Sequence, residues 1–242
     1  MTSQLSPIVP GVSYTPKGTN VTGPDGMPLY VVGGGATTTT ALLVTYDIFG
    51  YHPCTLQVCD LLASRLSTLV VVPDFFRGAP YPMDPWPPTD GFVALMAWVG
   101  KVGTYDAVKP MMLDALAYIK TQGVTSKVGG VGLCWGAKPM FALNADGLIG
   151  PCASCHPSFL TTEDAEKTTA PQCVLPTKDD GLMEGIKAAL EKKDFAAKNV
   201  WVRFDDMHHG FAGARGDWTK PEQVARVQEA ITIMVDFFNA NL

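Results

Sequence analysis

The chain has 242 residues, 47% apolar and 17% charged, with 18 basic against 23 acidic side chains for a net charge of −5. Such a composition supports a sizeable buried core and excludes a disordered chain, and the negative balance argues against a nucleic-acid partner, which would need a basic face. No apolar run reaches the roughly 18 residues that span a bilayer, and the opening MTSQLSPIVPGVSYTPKG is no signal peptide, so a cytoplasmic protein with no membrane partner is expected.

Residues 1–26, rich in Pro, Gly, Ser and Thr, read as an N-terminal arm with turns. MPLYVVG (27–33) and TALLVTYD (40–47) read as strands, and GGGATTTT between them suggests a hairpin. CTLQVCDLLASRL (54–66) has helical apolar spacing. TLVVVPD (68–74) is a continuous apolar run, as expected of a central parallel strand. The following loop, FFRGAPYPMDPWPPTDG, holds five prolines and cannot be regular. Helical patterns cover roughly 90–102 and 104–122. A strand at 128–133, a helix near 136–146, strands near 148–155 and 171–177, a helix at 184–198 and a strand at 199–204 come next. A closing helix at 219–240 would bury Val224, Val227, Ile231, Met234 and Phe238. Strands alternating with helices predict one α/β domain over 1–242, with a mostly parallel central sheet and helices on both faces.

Gly132-Leu133-Cys134-Trp135-Gly136 joins a buried strand to a helix. It reads as a G-x-nucleophile-x-G elbow, with cysteine where serine is usual. The glycines leave room in a tight strand-to-helix turn, and the helix that follows adds a positive field favouring a thiolate. An elbow nucleophile needs an acid and then a histidine later in the chain. Lys178-Asp179-Asp180 and Asp205-Asp206-Met207-His208-His209-Gly210 each follow a strand, at the same sheet edge as the elbow. Either aspartate of the first pair and either histidine of the second fit the pattern.

These residues resemble the dienelactone hydrolase family of the α/β-hydrolase fold. The carrying segments are 46-YDIFGYHP-53, 72-VPDFFRG-78, 131-VGLCWGAK-138, 155-CHPS-158 and 207-MHHGFAGARGD-217. The resemblance implies a Cys134, Asp180, His209 triad. The family base precedes a small residue and Phe, and its acid lies nine residues past the proline that opens its strand, here Pro171, with Asp179 the alternate. It also implies an oxyanion hole from the backbone N–H groups of Ile48 and Trp135, an acid (Asp47) able to contact the resting thiol, and Arg77 holding a substrate carboxylate. The chain departs from bacterial members at Asp47 (glutamate there), at Ala137 (often glycine) and at Gly213, where they carry a second substrate arginine; here Arg215 follows two residues later.

The expected activity is hydrolysis of a small ester or lactone through an acyl-enzyme. Loop aromatics Phe49, Tyr51, Phe76, Tyr81, Trp86 and Trp135 would wall the pocket, with Arg77 at one end and Arg215 a further substrate contact. No cofactor and no metal are expected, because the four histidines lack ligand spacing. The expected assembly is a monomer or homodimer. A rival reading takes 152-CASCH-156 as a haem-attachment or redox dithiol motif, although a packed strand suits neither. A dinucleotide loop at Gly130-Val131-Gly132 lacks an acidic ribose partner on the next strand. A binding-only member of the fold would not need all three triad groups together.

Overall fold

The computed structural model describes residues 7–35 and 38–242. The start of the arm (1–6) and residues 36–37 of the Gly/Thr turn lie outside them. In chain order the elements are β1 (Thr19–Thr22), β2 (Pro28–Gly33), β3 (Ala41–Thr45), α1 (Pro53–Leu66), β4 (Leu69–Pro73), α2 (Val93–Val102), α3 (Tyr105–Thr121), β5 (Val128–Leu133), α4 (Ala137–Ala145), β6 (Cys152–Cys155), α5 (Thr162–Lys167), β7 (Gln172–Leu175), α6 (Glu184–Glu191), β8 (Val200–Trp201) and α7 (Pro221–Asn241).

The eight strands form one sheet in the order β1-β2-β4-β3-β5-β6-β7-β8. β1, β2 and β4 pair antiparallel, and every pair from β4 to β8 is parallel. β3 and β4 are buried at every residue, the signature of strands covered on both faces. Neighbouring glycines of β5 show the two layers. A Cβ on Gly129 would meet Phe238 of α7, and one on Gly130 would meet Met140 of α4. Successive residues of a strand face opposite sides, so α7 covers one face and α4 the other. α1 packs with α7, while α3, α4, α5 and α6 pack in series.

Several expectations change. Strands 27–33 and 40–47 do not form a hairpin: β4 lies between them, paired with both. The chain leaves β3 through α1 and returns parallel as β4, the usual crossover when two apolar strands both need covered positions. Within the arm, residues 19–22 form β1 on β2, the sheet's antiparallel edge. The helix expected over 184–198 stops at Glu191, and the last strand shortens to two residues plus an isolated parallel bridge, Thr177 to Phe204. α5 was not anticipated, though Thr161-Thr-Glu-Asp164 is a capping box in which Thr161 and Asp164 satisfy each other's backbone N–H. Among the described residues no helix is long and apolar enough to cross a membrane.

Candidate active site

β5 ends at Leu133, and Cys134–Gly136 make a 3-10 turn into α4. Cys134 sits at φ 54°, the left-handed region that non-glycine residues avoid. The neighbouring glycines are required by contact. A Cβ at Gly132 would lie 2.6 Å from Ala137 Cα, and one at Gly136 would lie 2.3 Å from the Thr45 carbonyl oxygen. Thr45 Oγ1 donates to the Gly136 carbonyl at 2.7 Å and ties the elbow to β3. The bend thus holds the Cys134 thiol at the carboxyl end of the sheet, where it lines a cavity of about 720 Å3.

The acid and histidine loops are laced together beyond β7 and β8. Phe204 bridges Thr177, and the Lys178 N–H donates to the Met207 carbonyl at 3.3 Å. Asp180 Oδ2 accepts from the Thr177 N–H at 2.6 Å and from its hydroxyl at 2.9 Å. Its other oxygen binds His209 Nδ1. Asp179 accepts from the His209 backbone N–H at 3.0 Å, so one aspartate orients the ring and its neighbour holds the main chain. His208 turns away and bonds the His209 carbonyl through Nδ1 at 2.9 Å. Burial opposes charge on His209, but interaction with the Cys134 sulfur and the Asp180 carboxylate outweighs it and pushes the imidazole up to about 10.

Ser158, absent from the expected site, meets both groups. Its Oγ lies 3.6 Å from Cys134 Sγ and 3.4 Å from His209 Nε2. The sequence signal for it was the segment 155-CHPS-158. Beside it His156 is fully buried, with no partner for either ring nitrogen among the described residues. Its ring meets that of His209 edge-on at 5.2 Å. Burial, then the charge of His209, pushes His156 well below the usual imidazole range and keeps it neutral.

Asp47 lines the cavity, but its carboxylate is held by backbone rather than by the thiol. Oδ1 accepts from the Phe49 N–H and Oδ2 from the Ala214 N–H, each at 2.9 Å. Burial pushes this carboxyl up to about 6 against the pull of those two donors. A Cβ at Gly213 would lie 2.7 Å from Asp47 Oδ2, so the arginine of bacterial members has no room there. Arg215 takes the cavity wall instead, with its guanidinium 5.2 Å from the Trp86 ring centre and Nη1 donating to the His209 carbonyl at 2.8 Å.

Arg77 does not join the site. It is exposed at φ 48°, in a turn closed by its N–H on the Asp74 carbonyl, and is not among the cavity-lining residues. Of the expected aromatic wall, Phe49 and Trp86 line the cavity. The Trp135 side chain is core, packed on Phe76 and bonded to the Gly103 carbonyl at 2.8 Å. Tyr51 donates to the Val72 carbonyl, and Tyr81 packs on Trp98. Walls that went unforeseen come from α2 (Leu95, Met96), Phe159 and α6 (Ile186).

The backbone of the expected oxyanion donors is held at the carbonyl end of each peptide. The Asp47 carbonyl accepts from the Gly50 N–H, and the Cys134 carbonyl from the Ser158 N–H. In a trans peptide the N–H points opposite to the C=O, so the Ile48 and Trp135 N–H groups are each turned away from those bonds. Cys152 and Cys155 are both fully buried in β6. Three positions apart on a strand, they face opposite sides of the sheet, which rules out a dithiol or a haem attachment. No group of three or more His, Cys, Asp or Glu among the described residues could hold a metal ion.

A sequence model of the dienelactone hydrolase family matches residues 27–242. An uncharacterized AIM2 family protein of Schizosaccharomyces pombe is 31% identical, the match covering 94% of this chain and 93% of that one. A carboxymethylenebutenolidase homolog of Mus musculus is 26% identical over 82% of this chain and 81% of its own. In structure, a candidate dienelactone hydrolase of Klebsiella pneumoniae superposes with a TM-score of 0.72 at 19% identity, covering 91% of this chain and 97% of that one; this likeness establishes the α/β-hydrolase fold. The chain therefore belongs to the dienelactone hydrolase family and is a hydrolase acting on ester or lactone bonds.

Proposed function

We propose that the chain hydrolyses small, uncharged, partly apolar esters or lactones through a Cys134 thiolate. The observation that carries this reading is a cysteine forced to φ 54° at the elbow, with the Asp180–His209 pair beside it. His209, charged up to about 10, and the Cys134 thiolate form the resting ion pair. The sulfur attacks the carbonyl carbon, and the C=O electrons move onto oxygen. The Ile48 and Trp135 N–H groups receive that oxyanion, at about 3 kcal/mol per donor in comparable sites. Collapse expels the alkoxide, which takes the Nε2 proton. The now neutral His209 then draws a proton from water, hydroxide attacks the thioester, and the carboxylic acid leaves with the thiolate and imidazolium restored, giving its own proton to solvent.

The cavity supports an uncharged substrate. Phe49, Trp86, Leu95, Met96, Phe159 and Ile186 present apolar surface, and the charged lining groups are already engaged: Asp180 on His209, Asp47 on backbone N–H groups, and Asp179 and Arg215 on the His209 main chain. A thiolate is a better leaving group than an amide nitrogen, so ordinary amides are poor substrates. Six free buried thiols suit a reducing compartment, taken here as the cytoplasm. Hydrolysis of p-nitrophenyl acetate and of a dienelactone by wild type and Cys134→Ala tests the reading. Loss of both activities in the variant is expected, with the neutral ester the better wild-type substrate. Full activity in Cys134→Ala would overturn the thiol mechanism.

A further inference from the structure

Ser158 has no part in the steps above, yet its hydroxyl touches both reacting groups, at 3.6 Å from Cys134 Sγ and 3.4 Å from His209 Nε2. It is held there by a strained loop. His156 at φ 41° and Phe159 at φ 64° flank it, both non-glycine residues in the left-handed region. Such conformations persist only where the surroundings enforce them, and they cluster at functional sites. Two backbone bonds do the enforcing. The His156 N–H donates to the Leu175 carbonyl at 2.9 Å, extending the β6–β7 ladder, and the Ser158 N–H donates to the Cys134 carbonyl at 3.0 Å. Pro157 adds a fixed φ between them.

The chemistry of the three groups fits one direction at a time. An imidazolium only donates and a thiolate only accepts, while a hydroxyl does both. In the ion-paired state Nε2–H donates to Ser158 Oγ, and the Oγ–H donates to Sγ. In the neutral state the chain reverses: S–H donates to Oγ, and Oγ–H donates to Nε2. Passing between the two breaks the S–H bond, forms one O–H and breaks the other, and forms N–H. Serine is unchanged and one proton has moved from sulfur to nitrogen. We propose that Ser158 is a catalytic residue of this site, its hydroxyl accepting from His209 Nε2–H and donating to the Cys134 thiolate while the pair is charged, and passing the proton from sulfur to nitrogen when that pair forms from the neutral state. This role rests on the cysteine reading above, and it has a second part: the Ser158 N–H orients the Cys134–Trp135 peptide, whose N–H is the oxyanion donor.

Ser158→Ala and Ser158→Thr, with Cys134→Ala in parallel, test it. The readouts are the pH dependence of Cys134 alkylation by iodoacetamide, kcat and KM on a p-nitrophenyl ester, and the thermal unfolding midpoint of each variant. Ser158→Ala is expected to shift alkylation upward by about one pH unit and to lower kcat about 10- to 100-fold with KM little changed, the range of one hydrogen bond to a charged group. Ser158→Thr keeps the hydroxyl and is expected to restore both. A folded Ser158→Thr variant that fails to restore alkylation and kcat overturns the hydroxyl's role. An alanine variant with unchanged alkylation and kcat also overturns the relay but leaves the cysteine mechanism standing, provided Cys134→Ala is inactive. If instead Cys134→Ala hydrolyses and Ser158→Ala does not, Ser158 is the nucleophile and both readings fall.

Discussion

The floor of the cavity and its roof are built differently. On the floor, Cys134, Asp180 and His209 each follow a strand of the parallel sheet, and each is fixed by hydrogen bonds to main-chain groups within or between the loops beyond those strands. The roof is the proline-rich segment after β4 together with α2. Of the ten residues of α2 only Leu95 is buried, and Phe92, Val93 and Met96 are 42%, 70% and 50% exposed. Chemistry needs its groups placed to within a fraction of an ångström, and a sheet covered on both faces supplies that. A roof needs only apolar area, which a loosely packed helix supplies. Substitutions on the floor are expected to stop the reaction, and substitutions in the roof to change what is bound.

The sharpest test of that contrast is Cys134→Ala, expected to lower kcat/KM by about 10^4-fold or more, with stability nearly unchanged because the thiol is small. Asp180→Asn should follow at about 10^3- to 10^4-fold, the loss seen when a triad histidine loses its orienting carboxylate; a loss under tenfold would break the floor's claim to precision. Gly136→Ala puts a Cβ 2.3 Å from the Thr45 carbonyl oxygen. It should destabilise the fold by about 2–3 kcal/mol in chemical denaturation, the scale of backbone clash in a packed core.

The pH profile sharpens the electrostatic side. His209 stays protonated up to about 10 in the folded chain, against an ordinary value of 6.5. Its contribution to stability is complete below 6.5 and fades as pH rises through about 10. Over the upper part of that window Nε2 also loses the proton owed to the leaving group, so kcat should decline toward pH 10. A kcat still rising at that pH would remove His209 from the acid role. In the roof, Met96→Ala should leave stability within about 0.5 kcal/mol and raise KM a few-fold for apolar esters only. Arg77→Ala should change neither parameter, because that side chain is exposed and off the cavity wall.

What could be read from the sequence follows the same division. β4, β5 and α7 match their apolar patterns to within about two residues, because a covered strand needs an unbroken apolar run and a surface helix needs a 3.6-residue stripe. The false hairpin shows the limit. Two strands joined by turn residues look paired, yet whether β4 inserts between them depends on the whole sheet. The site divides likewise. Asp179 and Asp180 are indistinguishable by type; the family spacing favours Asp180, and the loop geometry puts Asp180 on the His209 ring and Asp179 on its N–H.

The elbow and the order of its partners were legible in the residues alone: a thiol between two glycines at a strand end, followed in order by an acid and a histidine. Those are local requirements, set by torsion angles and steric room over a few residues, so they leave a local mark. The tertiary structure decided that Arg77 faces solvent, that Asp47 spends its oxygens on backbone, and that the cavity is walled by α2 and α6. It also decided that Ser158 meets groups 24 and 51 residues away in the chain. Such contacts depend on strand register and on the paths of loops between strands, and no short pattern of residue types carries that information.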